Sequence, residues 1–210
     1  MDTPFTLEGS HVRLEPLAHH HVDDLLEAAG GDRASFAFTL VPWDRPTMVA
    51  YIERALARAE AGDQVTFATR SLAHGRVVGS TRYYEMERWD WSAVEPGAAP
   101  PPGGGEFDQV GIGHTWLGPA AQRTPVNTEA KLLMLDHAFT RWGVRAVRLQ
   151  TDARNTRSRA AIARQGCTHE GVLRSDRPAP DGTVRDSAVF SMLAAEWPDA
   201  RRRLLERLGR

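Results

Sequence analysis

Two strand-to-helix passages follow one another in the second half of the sequence and narrow the choice of fold. In the first, the strand-like run VGIGHTWL (110–117) precedes a helix predicted over 127–142 from its apolar spacing. In the second, VRAVRLQT (144–151) leads to a helix that begins at Asn155 and ends at Gly166. Such β–α–β units place ligands where strands end and helices begin, so a binding site is expected there.

The remaining segments add antiparallel strands and further helices. HVRLEPL alternates like a half-buried strand, and helices are predicted from about 20 to 29 and within 46–63. QVTFATRSL and RVVGSTRYYEM predict a hairpin that turns at His74-Gly75, and THEGVLRSDR and VRDSAVFSML predict two more strands before a C-terminal helix. The sequence therefore predicts a single α/β domain over 1–210, with helices flanking a mixed, mostly antiparallel sheet.

A segment rich in proline and glycine, residues 88–108, interrupts this series. It contains Glu95-Pro96-Gly97 and PPPGGG and has too little apolar content to order itself, which predicts a mobile loop. Trp89 and Trp91 flank it, and three interpretations are open: a lid, a contact between the subunits of a homodimer, or ordinary packing.

Charge and composition exclude several classes of protein. The formal net charge of -1 gives no electrostatic reason to expect nucleic acid or an anionic membrane as a partner. No apolar run is long enough to span a bilayer, no secretory signal is visible, and Cys167 is the single cysteine, so a cytoplasmic protein is expected. Consecutive helical positions diverge, so His19 to His21 predict no shared metal. The run Arg201 to Arg203 is typical of a solvated helix face.

Three features near the two passages could bind a ligand. GPAAQRTPVNTEA carries many amide donors close to a helix N-terminus, which suits a phosphate, although a plain cap at Asn127 or Thr128 would also explain it. Gly111 and Gly113 indicate a bulge or the close approach of another backbone. Asn155 is either a simple N-cap or a ligand-binding residue that shares one helix face with the serine three positions later.

These residues also carry a resemblance to a known family. GIGHTWLGPAAQRTPVNTEAKLLMLDHAF, then VRLQTDARNTRSRAAIARQG, then EGVLR and RDSAVFSML resemble the GCN5-related N-acetyltransferase (GNAT) superfamily. Within it, the chain is most similar to the branch of ribosomal-protein N-terminal acetyltransferases, the RimJ/RimL-like proteins. The resemblance implies an acyl-coenzyme A acyltransferase fold in which a central strand pair splays apart. It also implies acetyl-coenzyme A as co-substrate, an amine as acceptor and no metal.

The resemblance assigns a role to each part of the expected site. The strand edge from Thr115 to Leu117 would pair with the pantetheine arm, and the loop from Gln122 to Thr128 would wrap the pyrophosphate with its backbone amides. Asn155 and Ser158 would face the arm, and Ser158 would protonate or hydrogen-bond the leaving thiolate. The cofactor-binding residues implied in this way are Thr115, Trp116, Leu117, Gln122, Arg123, Thr124, Val126, Asn127, Thr128, Asn155 and Ser158.

The sequence departs from the family pattern at two places. Pro125 and Asn127 occupy glycine positions of the phosphate loop, and proline lacks an N–H, but we expect binding to survive on the remaining amides. The glutamate that relatives often carry is absent from Gly111-Ile112-Gly113-His114, where His114 stands at a tyrosine position. His114 is then either a base or water-orienting residue, or a side chain that only caps the sheet face.

The missing carboxylate bears on the acceptor. An α-amine, with a pKa of about 7.7–8.0, loses its proton far more readily than a lysine with a pKa of about 10.4. A protein or peptide N-terminal α-amine is therefore the expected acceptor, with a small-molecule amine or a non-catalytic acyl-coenzyme A sensor as alternatives.

Trp43 would close over the acceptor, as the resemblance implies. Tyr83 and Tyr84 point to opposite faces of their strand, so only one, taken here as Tyr84, reaches the cleft. The expected catalytic residues are His114, Asn155 and Ser158.

Overall fold

One eight-stranded sheet organises the part of the chain that the computed structural model describes, residues 4–31, 33–93 and 105–210. Its strands run β1-β2-β3-β4-β5-β6-β8-β7 across the sheet, and every neighbouring pair is antiparallel except β5–β6. The predicted α/β domain with a mixed, mostly antiparallel sheet is confirmed. The strands are β1 Leu7–Glu8, β2 Val12–Pro16, β3 Val65–Ser71, β4 Arg76–Glu87, β5 Gln109–Leu117, β6 Ala146–Asp152, β7 Thr168–Pro178 and β8 Val184–Leu193.

Helices cover both faces of this sheet. The helices are α1 Val22–Ala29, α2 Arg45–Glu60, α3 Pro125–Asp136, α4 Thr156–Ala163 and α5 Trp197–Arg207. One apolar core joins α1 and α2 to the sheet through Leu25, Met48 and Ile52. The other joins α3 and α5 to the opposite face through Met134 and Leu204. Among the described residues, no helix combines the length and the apolar content that crossing a bilayer would need.

The parallel pair β5–β6 comes apart after three residues. The two strands are paired from Gln109 opposite Ala146 to Gly111 opposite Arg148, whereas β5 continues to Leu117. On its other side, β5 stays paired with β4 up to Leu117 but shifts register at two places, the second of them between Gly113 and Trp116. His114 lies at that shift with a φ of 49°, a left-handed conformation that bends the strand. The splayed strand pair that the resemblance implied is therefore present, and a β-bulge accompanies it.

Helix α3 begins earlier than the sequence pattern indicated. Its first residue is Pro125 and its cap is Thr124, so the expected cap at Asn127 or Thr128 is wrong. Proline suits the first helical position because that N–H has no partner within the helix and the fixed φ is already helical. The α-helical hydrogen bonding ends at Asp136, and a π-helical turn, His137–Arg141, extends the helix toward its predicted end.

The described residues at the two ends of the segment 88–108 are joined by hydrogen bonds at the start of β5. Asp108 accepts hydrogen bonds from the Trp89 backbone N–H at 2.9 Å and from the Trp91 indole N–H at 3.3 Å, and it pairs with Arg145 at 2.8 Å. The two tryptophans therefore lie at the paired end of β5, away from the gap, which disfavours a lid. A subunit contact stays a prediction, and the expected mobile loop falls mainly on residues 94–104, outside the described residues.

Candidate active site

A cleft of about 570 Å³ opens where β5 and β6 part. The ends of these strands, the starts of α3 and α4, the β7–β8 hairpin and the segment before α2 form its walls. Most of the residues expected at the site line it, namely Tyr84, His114, Thr115, Trp116, Leu117, Gln122, Arg123, Thr124, Asn127, Thr128, Asn155 and Ser158.

The turn between β5 and α3 presents the start of a helix to the cleft. The Thr124 hydroxyl accepts a hydrogen bond from the Val126 N–H and donates one to the Ala121 carbonyl at 2.7 Å, and Arg123 adopts a φ of 61°. The Gln122 side chain donates to the Leu117 carbonyl at 2.8 Å, which holds the turn against the end of β5. A helix N-terminus in this position carries about half a positive charge and free N–H groups, which fits a phosphate.

Val126 is the one residue among the expected cofactor-binding residues that does not line the cleft. It is 4% exposed and packs in the core beneath the sheet. Its N–H already bonds to Thr124, whereas Asn127 and Thr128 line the cleft.

Asn155 caps α4, in agreement with one of the two interpretations drawn from the sequence. Its side-chain oxygen accepts a hydrogen bond from the Ser158 N–H at 2.9 Å, which fixes the first turn of the helix. Ser158 is half-buried and lines the cleft next to this turn. The cap therefore sets the position of Ser158 relative to the gap between the strands.

His114 projects from the bulge of β5 into the cleft. Its ring lies 5.4 Å from the ring of Tyr84 in an edge-to-face arrangement. Although the side chain is exposed to the cleft, loss of bulk hydration lowers the pKa of His114 to about 4, and the positive charges of Arg82, Arg177 and Arg185 act in the same direction. His114 is therefore neutral near pH 7 and can accept a hydrogen bond or a proton, but it holds a proton weakly.

The paired glycines of β5 make room for Tyr84. A Cβ atom added at Gly111 or at Gly113 would lie 2.8 Å from Cε1 of the Tyr84 ring, so only glycine fits beneath it. Burial raises the pKa of Tyr84 to about 12, which keeps its hydroxyl protonated. Tyr83 points into the core, where its hydroxyl donates to the Met134 carbonyl at 2.6 Å, so the two tyrosines occupy opposite faces as predicted.

Lys131 is a cleft residue that sequence reasoning missed. Its ammonium group is buried and donates to the hydroxyls of Thr115 at 2.7 Å and Thr81 at 3.0 Å, beside the bulge of β5. Burial lowers the pKa of Lys131 to about 7. The sequence did offer a signal for this residue: Lys131 is the only lysine in the chain, and it lies one helical turn after Asn127 on α3.

Trp43 does not line the cleft. Its side chain is 71% exposed beside the start of α2, and its backbone N–H donates to the Thr47 hydroxyl. Phe38 and Leu40, a few residues earlier in the same connection, line the cleft instead. The connection before α2 thus reaches the cleft through residues other than the one chosen from the sequence.

Metal and thiol chemistry find no support among the described residues. No group of three His, Cys, Asp or Glu side chains within 4–31, 33–93 and 105–210 is arranged to hold a metal ion. His21 is engaged by Glu15 and by the Ala18 N–H. Cys167 is buried, and burial raises the pKa of its thiol to about 12, so it is not a nucleophile near neutral pH.

A sheet that splays at its single parallel pair, with a helix N-terminus facing the gap, defines an acyltransferase of the kind that holds an acyl carrier between two strands. Comparison with known families agrees: the model of the acetyltransferase (GNAT) domain matches residues 11–168. The chain belongs to this family of acetyltransferases. No curated protein matches the chain significantly.

Solved structures show the same fold over nearly the whole chain. A structure from T. thermophilus is 32% identical, covers 99% of this chain and 99% of its own, and superposes with a TM-score of 0.78. A GCN5-related N-acetyltransferase from Brucella melitensis is 28% identical over 98% of this chain and 86% of its own, with a TM-score of 0.80. RimJ of Mycobacterium smegmatis, solved with CoA-disulfide, is 20% identical over 97% and 95%, with a TM-score of 0.74, and shares the fold.

Proposed function

We propose that this protein transfers the acetyl group of acetyl-coenzyme A to a primary amine, and that the amine is the α-amine of a protein or peptide N-terminus. The observation that carries the proposal is the gap beyond Gly111, where β5 continues to Leu117 without β6 as a partner. An extended amide-bearing chain such as pantetheine can pair with that edge.

The turn before α3 supports acetyl-coenzyme A as the donor. The start of α3 and the guanidinium of Arg123 offer positive charge at one end of the cleft, which suits a pyrophosphate. Pro125 at the first helical position costs the helix no hydrogen bond, but it removes one N–H that could face a phosphate, so binding would rely on the remaining amides of the turn.

The reaction needs little from the protein besides position and polarity. In the proposed step, a neutral amine attacks the thioester carbon, a C–N bond forms, the C–S bond breaks and the thiol leaves, with no covalent enzyme intermediate. Backbone N–H groups of the open β5 edge stabilise the developing negative oxygen, and the Ser158 hydroxyl donates to the departing sulfur. His114 or a water molecule takes the amine proton.

The neutral state of His114 bears on the choice of acceptor. A base with a pKa of about 4 removes a proton poorly from an alkylammonium group, so the amine must arrive largely deprotonated. An α-amine meets that condition near neutral pH far better than a lysine side chain does. This is why we favour an N-terminal acceptor over an internal lysine.

The test is thiol release from acetyl-coenzyme A with matched peptides. We expect turnover with peptides whose α-amine is free, and none with the same peptides blocked at the α-amine but carrying a free lysine. Ser158→Ala should lower kcat. Ser92→Ala, which changes an exposed serine that does not line the cleft, should not. Binding of acetyl-coenzyme A by calorimetry without turnover on any amine would instead support the sensor, and turnover confined to small amines would replace the peptide acceptor.

A further inference from the structure

Two arginines face each other across the β7–β8 hairpin at the edge of the cleft. Arg177 of β7 and Arg185 of β8 are direct partners in the antiparallel register, and both are half-buried and line the cleft. Like charges placed opposite each other on paired strands destabilise a sheet. Such a pair is retained at a cost in stability, which calls for a compensating role.

The carboxylates around this pair, Asp176, Asp152 and Glu85, compensate its charge only in part. Arg177 donates from Nε to Asp176 at 2.6 Å and from Nη2 to the Gln150 side-chain oxygen at 3.1 Å. Arg185 donates from Nε to the Ser187 hydroxyl at 3.0 Å, and among the described residues no carboxylate lies within ion-pair distance of its guanidinium. The pair therefore has one directly bonded carboxylate for two positive charges.

The excess positive charge acts on the acceptor side of the cleft. Burial and the neighbouring Arg177 lower the pKa of Arg185 against the opposing charges of Asp152 and Asp176, and the same two arginines help to lower the pKa of His114. The proposed phosphate-binding turn belongs to a different wall, at the start of α3. The partly compensated charge thus lies near His114 and Tyr84, where the amine would react.

We propose that Arg177 and Arg185 bind a carboxylate of the acceptor, so that preferred acceptors carry an acidic group close to the amine that is acetylated. A guanidinium group offers two parallel N–H donors that match a carboxylate, and a half-buried site strengthens the contact. The carboxylate belongs either to an acidic side chain near a peptide N-terminus or to the α-carboxylate of a free amino acid. This inference rests on the proposed function, because it specifies the acceptor of the same site.

The experiment compares acceptors that differ by one carboxylate. Peptides beginning Ala-Asp are paired with Ala-Asn peptides, and glycine is paired with glycinamide; because a carboxylate raises the pKa of a neighbouring amine, each kcat/KM is referred to the concentration of neutral amine at the assay pH. We expect kcat/KM for the acidic member of at least one pair to exceed that of its neutral partner by about tenfold, the size of one charge-assisted hydrogen bond. Discrimination by the peptide pair identifies a side-chain carboxylate, and discrimination by glycine identifies an α-carboxylate.

Variants separate the arginine pair from surface charge in general. Arg185→Gln should abolish the discrimination while turnover of the neutral acceptors stays measurable. Arg174→Gln removes an exposed arginine of the same hairpin and should preserve the discrimination. Equal kcat/KM within both pairs, or discrimination that survives Arg185→Gln, would overturn the inference while leaving the acetyltransferase proposal intact.

A binding measurement keeps the inference testable if no acceptor in the panel turns over. Titration of the peptides into the protein saturated with coenzyme A should give a Kd about tenfold lower for Ala-Asp than for Ala-Asn peptides, and Arg185→Gln should make the two equal. Equal affinities for the wild-type protein would contradict the carboxylate site. Absence of turnover with this preference in binding would count against the proposed function alone.

Discussion

The ammonium group of Lys131 is the residue-scale feature with the clearest energetic signature. Two threonine hydroxyls receive its hydrogen bonds, and the described structure places no carboxylate in ion-pair contact with it. Hydroxyls compensate a buried positive charge only in part, so the neutral form gains population in the folded protein. The folded protein consequently binds this proton less tightly than the unfolded chain does.

The consequence is a stability that increases with pH. Between a folded pKa of about 7 and the ordinary value of 10.5, the unfolded chain holds the Lys131 proton and the folded protein does not. Relative to Lys131→Met, the wild-type free energy of unfolding should therefore rise by about 2 kcal/mol from pH 7 to pH 9. Urea denaturation of both proteins at each pH measures this, and parallel pH curves would show that the lysine stays charged.

At the scale of elements, the start of α3 joins helix stability to donor binding. Thr124 caps the helix and lines the cleft, so its loss should affect both properties. Asp44 caps α2 in the same manner, accepting from the Thr47 N–H at 2.9 Å, but it does not contribute to the cleft. The two caps therefore form a matched pair for experiment.

We expect Thr124→Ala and Asp44→Ala each to cost about 1 kcal/mol of unfolding free energy, the usual value of an N-cap. Only Thr124→Ala should also raise the Kd for coenzyme A, because the freed first turn no longer holds its amides toward the phosphates. Thermal unfolding and calorimetric titration on the same preparations give both quantities. Equal coenzyme A affinity in the two variants would mean that the phosphates bind elsewhere.

At the scale of the whole molecule, a buried carboxylate ties the two ends of the chain to α3. Glu129 is fully buried and accepts hydrogen bonds from the backbone N–H groups of Ser10, His11 and Val12, and it pairs with Arg210 at 2.9 Å. The helix that faces the donor cleft is thus fixed to the first strands and to the C-terminal residue at one point.

Glu129→Ala leaves three backbone N–H groups and a guanidinium without their acceptor, so we expect a loss of about 3–5 kcal/mol. Arg210→Ala should cost under about 1 kcal/mol, because Arg210 is partly exposed and the three N–H groups still compensate the carboxylate. Urea titrations of the two variants measure the difference. Similar losses in both would assign the stabilisation to the ion pair rather than to the backbone contacts.

The order of strands and helices could be predicted because its signals are local. Apolar spacing, capping residues and helix-ending glycines lie within a few positions of the elements they specify, as at Asn155 and Gly166. The cap of α3 was predicted at the wrong residue because Asn127 and Thr128 are also good capping residues. Thr124 can be identified as the cap only by recognising that Pro125 suits the first helical position.

The parts of the site that were missed depend on contacts between distant segments. Nothing near Lys131 in sequence indicates that Thr81 and Thr115 will enclose its ammonium group. The opposition of Arg177 and Arg185 follows from the register of the hairpin, which a period-two pattern alone leaves unspecified. Trp43 was chosen in place of Phe38 because a loop has no periodicity from which the inward side can be inferred.

The presence of a single, buried lysine also limits unwanted acylation at the outer surface. Reactive thioesters modify exposed ε-amines without any catalyst, and an enzyme that handles them meets high local concentrations. Since Lys131 is the only side chain of this type and is 3% exposed, the protein's surface offers no lysine nucleophile on which a stray acetyl group could be lost.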